Sequence, residues 1–384
     1  MLKIESEKDT DTHQRIRWAL RGKNEGPVVV LFVGIHGNER AGVKAADHLF
    51  TDLKNNEDEL DGSVFVITGN IPALQMGVRF IDTDLNRLWE IPDGVAGRRS
   101  LNGITSTTEY SESSEIKQCI NQILKDYGDA ARDFIFADLH TTSSKSCGFI
   151  LLNDTLDNRA LARKFPLPQI LGIEENIYGT LLSYINNLGY KAIGFEAGAH
   201  HDEISVQRSV AFLELLLHNA GVRKLTEGKL RHLADELQCP DDVPETYYEI
   251  RYHKLLDDPR NFKMMSGFSN FDRIEKDTPL AYEREQLIVA PVSGRIFMPL
   301  YQNKGHDGFL IIREVSDFWL ELSAFFRNSF LNNILKFLPG VTVLNSRSFE
   351  VDLTVARFLV RNIFHLLGYR VVQKDEETLI CHKR

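Results

Sequence analysis

Long apolar runs are missing from this chain: none approaches the ~20 residues that a membrane-spanning helix needs. The first ten residues, Met1 to Thr10, are polar and acidic, so neither a secretory signal peptide nor a membrane span is expected there. A basic surplus is missing too. Acidic residues number 54 against 45 basic ones, giving a formal charge of −9. A general nucleic-acid binder would carry the opposite balance, so no nucleic-acid partner and no membrane partner are expected. Cysteine is scarce. Cys119, Cys147, Cys239 and Cys381 are far apart with no CxxC pair, excluding a cysteine zinc site or redox motif. Few, scattered cysteines that read as unpaired suit a reducing cytoplasm, which is the expected location. There is no internal repeat.

What is present is an alternation of short apolar runs and longer helical stretches between Pro27 and about Leu217. Strands are predicted at 27–33, 64–70, 134–140, 149–152 and 192–196, and helices at 41–53, 113–127, 156–164, 177–188 and 203–219. This alternation predicts an α/β fold, a mostly parallel or mixed central sheet with helices on both faces. In such sheets ligands bind beyond the carboxyl ends of the strands. The Gly-, Ser- and Thr-rich stretch 93–114 reads as a long surface loop. The pattern changes near residue 225. Segments 245–254, 286–298 and 308–314 read as strands of a small β domain, with a turn at Val292-Ser293-Gly294-Arg295. After residue 315 the periods at 318–337 and 353–367 are helical, and 369–383 reads as a short hairpin. The expected organisation is therefore a catalytic domain at 1–225, a β-rich domain at 226–315 and a helical extension at 316–384. Such a tail packs on the domains or between copies, which leaves a homo-oligomer open.

The densest chemistry lies in Gly34-Ile35-His36-Gly37-Asn38-Glu39-Arg40, where a strand ends and a helix begins. An imidazole and a carboxylate three residues apart on one turn can share a divalent metal, most naturally zinc. Alone, His36 reads equally as a turn residue and Glu39 as a helix N-terminal charge. A third candidate ligand, His140, ends the strand Phe134–His140. Glu196, in Gly194-Phe195-Glu196-Ala197-Gly198, ends another. Two histidines and one carboxylate form a catalytic set with an open fourth position, and Glu196 supplies a general base. The segment Arg79-Phe80-Ile81-Asp82-Thr83-Asp84-Leu85-Asn86-Arg87 brings two arginine forks, which match an anionic substrate. Arg79 is also placed to polarise a carbonyl. Without the metal motif, the same segment would read as a surface loop with internal Asp–Arg pairs.

HGNE, RFIDTDLNR, DLHTT and GFEAG, in that order, resemble the succinylglutamate desuccinylase/aspartoacylase family, relatives of the zinc carboxypeptidases. The likeness spans about residues 25–315. It implies one Zn2+ per chain on His36, Glu39 and His140, with Glu196 as the catalytic carboxylate and Arg79 as the carbonyl-polarising residue. Asn86 and Arg87 would bind a substrate carboxylate, and the β domain would cover the mouth of the site. The family implies a small anionic N-acyl amino acid as substrate. Two departures stand out. Aspartoacylases carry a further substrate-binding arginine just before the catalytic Glu, whereas Tyr178 to Phe195 contains only Lys191. They also use a C-terminal tyrosine, for which Tyr301 is the first candidate and Tyr282 the second. Residues 271–280 with 290–294 resemble the barrel of biotinyl and lipoyl domains, without their Met-Lys-Met carrier tripeptide.

The expected function is zinc-dependent hydrolysis of the amide bond of a small N-acylated amino acid. A metallocarboxypeptidase acting on short peptides is the first alternative and would need an open cleft. A non-catalytic zinc-binding module is the second, and it would have no need of Glu196.

Overall fold

Val28 to Val33 form an unbroken buried run, the pattern of a strand covered on both faces. They lie in β2 (Asn24–Val33), the third strand from one edge of a mixed sheet. The computed structural model describes residues 14–54, 60–89, 107–128, 131, 133–302, 304–328, 335–345, 348–356, 360–375 and 377–383. Around β2 stand β1 (Ile16–Arg21), β3 (Asp61–Thr68), β4 (Phe134–Thr142), β5 (Phe149–Leu152), β6 (Gln169–Leu171), β7 (Lys191–Ala199) and β8 (Tyr247–Leu255). β3, β2, β4 and β7 are mutually parallel neighbours, while β5 runs antiparallel to β7. The five expected strands are present; β1 and β6 lacked a sequence signal, β6 because it has three residues.

Helices cover both faces. On one lie α1 (Ala41–Lys54), α6 (Glu203–Ala220) and α7 (Glu227–Leu237), sharing a core that includes Leu49, Phe50, Phe212, Leu216 and Leu233. On the other lie α3 (Thr108–Tyr127) and α5 (Leu181–Asn187), which bury Ile116, Ile120, Leu181 and Ile185. Two short helices, α2 (Ile71–Met76) and α4 (Leu156–Ala162), complete this part. α3 begins at Thr108, capped by the Thr107 side chain, so the expected 93–114 loop is helix over its last part. Residues 93–106 of that expectation lie outside the described residues. α5 begins at Leu181 rather than 177, because Gly179 turns the chain at φ 70° and Thr180 caps the helix.

The main sheet continues into the β-rich region. β8 pairs with β14 (Asp307–Glu314), which pairs with β13 (Gly294–Phe297) and then β10 (Arg273–Ile274). A second, three-stranded sheet holds β9 (Phe262–Met264), β11 (Pro279–Glu283) and β12 (Gln286–Val289). The expected single segment 286–298 is thus two strands in different sheets, divided at the Pro291–Gly294 turn.

The C-terminal extension corrects the helical expectation. α8 (Asp317–Arg327) and α9 (Val360–Leu366) accompany a four-stranded antiparallel sheet of β15 (Val341–Asn345), β16 (Ser348–Asp352), β17 (Tyr369–Gln373) and β18 (Thr378–Lys383). The expected hairpin is β17–β18. β15 and β16 escaped notice because apolar residues in five-residue strands do not declare their period. Their core holds Phe349, Val351, Phe364, Leu379 and Cys381.

The cysteines also differ from expectation: Cys147 and Cys239 form a disulfide across 92 residues. Distance along the chain says nothing about distance across a fold. Among the described residues no helix is long and apolar enough to cross a membrane.

Candidate metal centre and active site

The HGNE segment is a tight turn ahead of α1 rather than part of it. Gly34 opens the turn at φ 70°, and the Glu39 N–H donates to the His36 carbonyl at 3.1 Å. A Cβ on Gly37 would sit 2.0 Å from the backbone of Ala73, so only glycine lets this turn pack on α2. The turn points Glu39 inward from the β2 edge, while β4 delivers His140 from the next strand.

The three residues converge. His36 Nδ1 lies 2.9 Å from Glu39 Oε1, and His140 Nδ1 lies 3.1 Å from Glu39 Oε2. All three are buried, and one ligand atom from each falls within 4.8 Å of the others. The far ring nitrogens are held as well: His36 Nε2 is 3.0 Å from Asp84 Oδ1, and His140 Nε2 is 2.7 Å from Asp138 Oδ2. A carboxylate behind each imidazole fixes the ring and its tautomer, leaving both Nδ1 atoms facing inward. This donor set fits zinc. The Thr141 N–H donates to Glu39 Oε2 at 2.9 Å, steadying the carboxylate.

The charges reinforce one another. Burial alone would raise Glu39 and Asp84, yet His36 and its neighbours hold both well below the usual carboxylate range. Burial would lower His140, and Asp138 with Glu39 holds it well above the usual imidazole value.

Glu196 differs. It stands opposite His140 in the β4–β7 register, so both side chains leave the same face of the sheet. Its Oε2 is buried without a hydrogen-bond partner. Burial first, then the negative charges of Glu39 and Asp138, push its carboxyl up to about 8 against the pull of His140 and Arg79. A desolvated carboxyl with a raised affinity for protons is suited to take a proton and return it.

Arg79 lies beside the trio. Its Nη1 is 3.3 Å from Glu39 and its Nη2 3.0 Å from Asp84. The Asp–Arg pairing that the loop reading foresaw is therefore real, and it lies within the site. Arg87 is drawn to Asp307, at 2.7 Å, and donates to the Asn86 carbonyl at 2.8 Å. The Asn86 side chain accepts from the Leu181 N–H at 2.8 Å, at the start of α5. Tyr301 has its N–H near Ser143 Oγ at 3.4 Å. Its hydroxyl, however, bonds the backbone of Met265 and Phe268, away from the trio. Tyr282 is exposed on β11. Lys191, at the opposite end of β7, pairs with Asp133.

Four contributors went unseen in the sequence. Asp84 and Asp138 stood inside quoted motifs, and a carboxylate two residues before His140 on the same strand was a usable signal. His200 Nδ1 lies 2.8 Å from Thr141 Oγ1, four residues beyond Glu196. Glu109 is fully buried in the first turn of α3 and accepts from the backbone N–H groups of Ile81, Asp82 and Thr83 at 2.6, 3.1 and 3.2 Å. It thereby shapes the loop that carries Arg79 and Asp84.

Comparison with known proteins agrees with this geometry. The model of the Succinylglutamate desuccinylase/Aspartoacylase catalytic domain matches residues 25–218. The chain belongs to the succinylglutamate desuccinylase/aspartoacylase family. That span contains the metal trio, Glu196, and both arginines. A succinylglutamate desuccinylase from Serratia proteamaculans is 32% identical over 113 residues, 29% of this chain and 31% of that protein. The chain thus matches about a third of the length of this curated relative. Among solved structures, the succinylglutamate desuccinylase of Vibrio parahaemolyticus has a TM-score of 0.57 at 16% identity, covering 80% of this chain and 94% of that one. The succinylglutamate desuccinylase/aspartoacylase from Rhodobacter sphaeroides has a TM-score of 0.54 at 17% identity, covering 78% and 88%. At such identities the likeness is one of fold. Membership makes the chain one of a family of deacylating hydrolases.

Proposed function

We propose that this protein hydrolyses the amide bond of a small N-acylated amino acid, using zinc held by His36, Glu39 and His140. Bound zinc would supply a Lewis acid and acidify a water molecule. Glu196 takes a proton from the attacking water as its oxygen adds to the acyl carbon, and passes that proton to the amine nitrogen as the C–N bond breaks. Arg79, fixed by Glu39 and Asp84, adds positive charge where the carbonyl oxygen becomes an oxyanion. A substrate carboxylate is received at Asn86 and Arg87, which sets the reacting geometry.

The observation that carries this reading is the desolvated Glu196 carboxyl, with its orphaned Oε2, in register beside His140. A non-catalytic metal module has no use for a buried, unpaired carboxyl there. A carboxypeptidase needs an open cleft, whereas Pro299, Lys304 and Asp307 of the β-rich region contact Ser143, Phe80 and Arg87, which supports a confined site. Small substrates are favoured accordingly.

The test joins metal analysis to a hydrolysis panel of N-acyl amino acids and dipeptides. Glu196→Gln should lower turnover by about 10²–10⁴-fold while retaining one zinc per chain. Near wild-type activity in this variant would remove Glu196 from the mechanism. Zinc with no cleavage of any compound would favour the binding module.

A further inference from the structure

Arg87, expected to receive a substrate carboxylate, already holds a carboxylate of the protein. Its Nη2 lies 2.7 Å from Asp307 Oδ2, and its Nη1 donates to the Asn86 carbonyl at 2.8 Å. The other oxygen of Asp307 is 2.8 Å from His253 Nε2, on β8. Asp307 opens β14, and Lys304, three residues earlier, has its Nζ 4.8 Å from the centre of the Phe80 ring. The β-rich region therefore delivers this carboxylate to the guanidinium from 220 residues away.

We propose that Asp307 is a specificity-determining residue, an internal carboxylate that competes with the substrate carboxylate for Arg87. The inference rests on the proposed deacylase reading. Asp307 occupies Nη2 and the Asn86 carbonyl occupies Nη1, so an incoming carboxylate gains a two-pronged grip on the Nη1–Nη2 edge only as the Asp307 contact parts. Burial would raise the Asp307 carboxyl, but Arg87 and His253 hold it well below the usual range, so it competes as an anion. The side chains of Arg87 and Asp307 remain 32% and 22% exposed, which leaves the pair open to exchange at the mouth. The apparent affinity of an anion falls with the fraction of Arg87 that is free to receive it. Substrates with a neutral group at this position pay no such penalty. The preference for N-acyl amino acids over their neutral amides is thereby compressed, and the Asp307 position sets how far.

Calorimetry on the full zinc-loaded chain, with succinate as the probe, tests this. Asp307→Asn and Asp307→Ser should bind succinate about tenfold more tightly than wild type. Asp307→Glu, which keeps the charge, should bind like wild type, and adding Arg87→Gln to Asp307→Asn should remove the gain. Unchanged or weaker binding in both neutral variants, with circular dichroism showing them folded, overturns the proposal. Kinetics of the wild type give a second measurement that requires no variant. An N-acyl amino acid should exceed its α-amide in kcat/KM by less than about tenfold, and an excess of about a hundredfold or more overturns the competition. If succinate tightens as expected while no acyl amino acid is cleaved, the deacylase reading falls and the competition at Arg87 stands.

Discussion

His140 and Glu196 are register partners on the adjacent parallel strands β4 and β7, so a metal-ligand candidate and an orphaned carboxyl leave one face of the sheet side by side. Neither position needs a special backbone. Parallel pairing and the alternation of side chains bring a histidine and a glutamate 56 residues apart in sequence to one rim. Their shared surroundings make Glu196 hard to ionise while stabilising charge on His140.

That difference has a pH signature in the metal-free protein. The Glu196 carboxyl is pushed up to about 8 in the folded chain, whereas in the unfolded chain it ionises near ~4.3. Between those values the folded state binds the extra proton. Its stabilising contribution is complete below the unfolded pKa and is lost as pH rises through the folded one. Urea midpoints of the metal-stripped protein should fall between about pH 5 and about pH 8.5, and Glu196→Gln should flatten that decline. An identical slope in the variant would assign the effect to other groups.

Asp84 and Asp138 hold the outer nitrogens of His36 and His140. Asp138→Asn and Asp84→Asn should each weaken metal affinity by about 10–100-fold, measured by competition with a chromophoric chelator. The secondary structure should persist, because neither change empties core volume. Wild-type affinity in both variants would show that the rings are oriented by something else.

Glu109 accepts three backbone N–H groups of the 81–83 segment and a fourth bond from Asn70 Nδ2 at 3.0 Å. Glu109→Ala leaves these donors without their acceptor and should destabilise the fold by about 3 kcal/mol. Because the loop positions Arg79, kcat/KM should fall even in the folded fraction. Denaturant titration with kinetics well below the melting temperature separates the two effects.

The C-terminal extension is fastened through Asp154, which receives Arg327 at 2.6 Å, with the Arg159 side chain on its other oxygen. All three side chains are largely buried. Asp154→Ala leaves two desolvated cations and should cost about 3–5 kcal/mol. Proteolysis should then cut within 316–384 before the catalytic region. Equal protection in the variant would place the anchoring elsewhere.

The strand-ending motifs carried most of the site in the sequence itself. His36, Glu39, His140 and Glu196 each follow an apolar run, and a parallel sheet collects such residues at one edge for purely geometric reasons. The alternation of strands and helices likewise defined the layered core, because burial on both faces leaves long apolar runs. Contacts between residues distant in the chain were decided only in three dimensions. Asp307 reaches Arg87, Glu109 threads its carboxylate under the arginine loop, and Cys239 meets Cys147, each across a separation that no local pattern records. The short strands β15 and β16 belong with these, since pairing with β18 rather than their own period defines them. Local periodicity specifies which elements form. Only tertiary packing decides which charges face each other, and here that decides what Arg87 is able to bind.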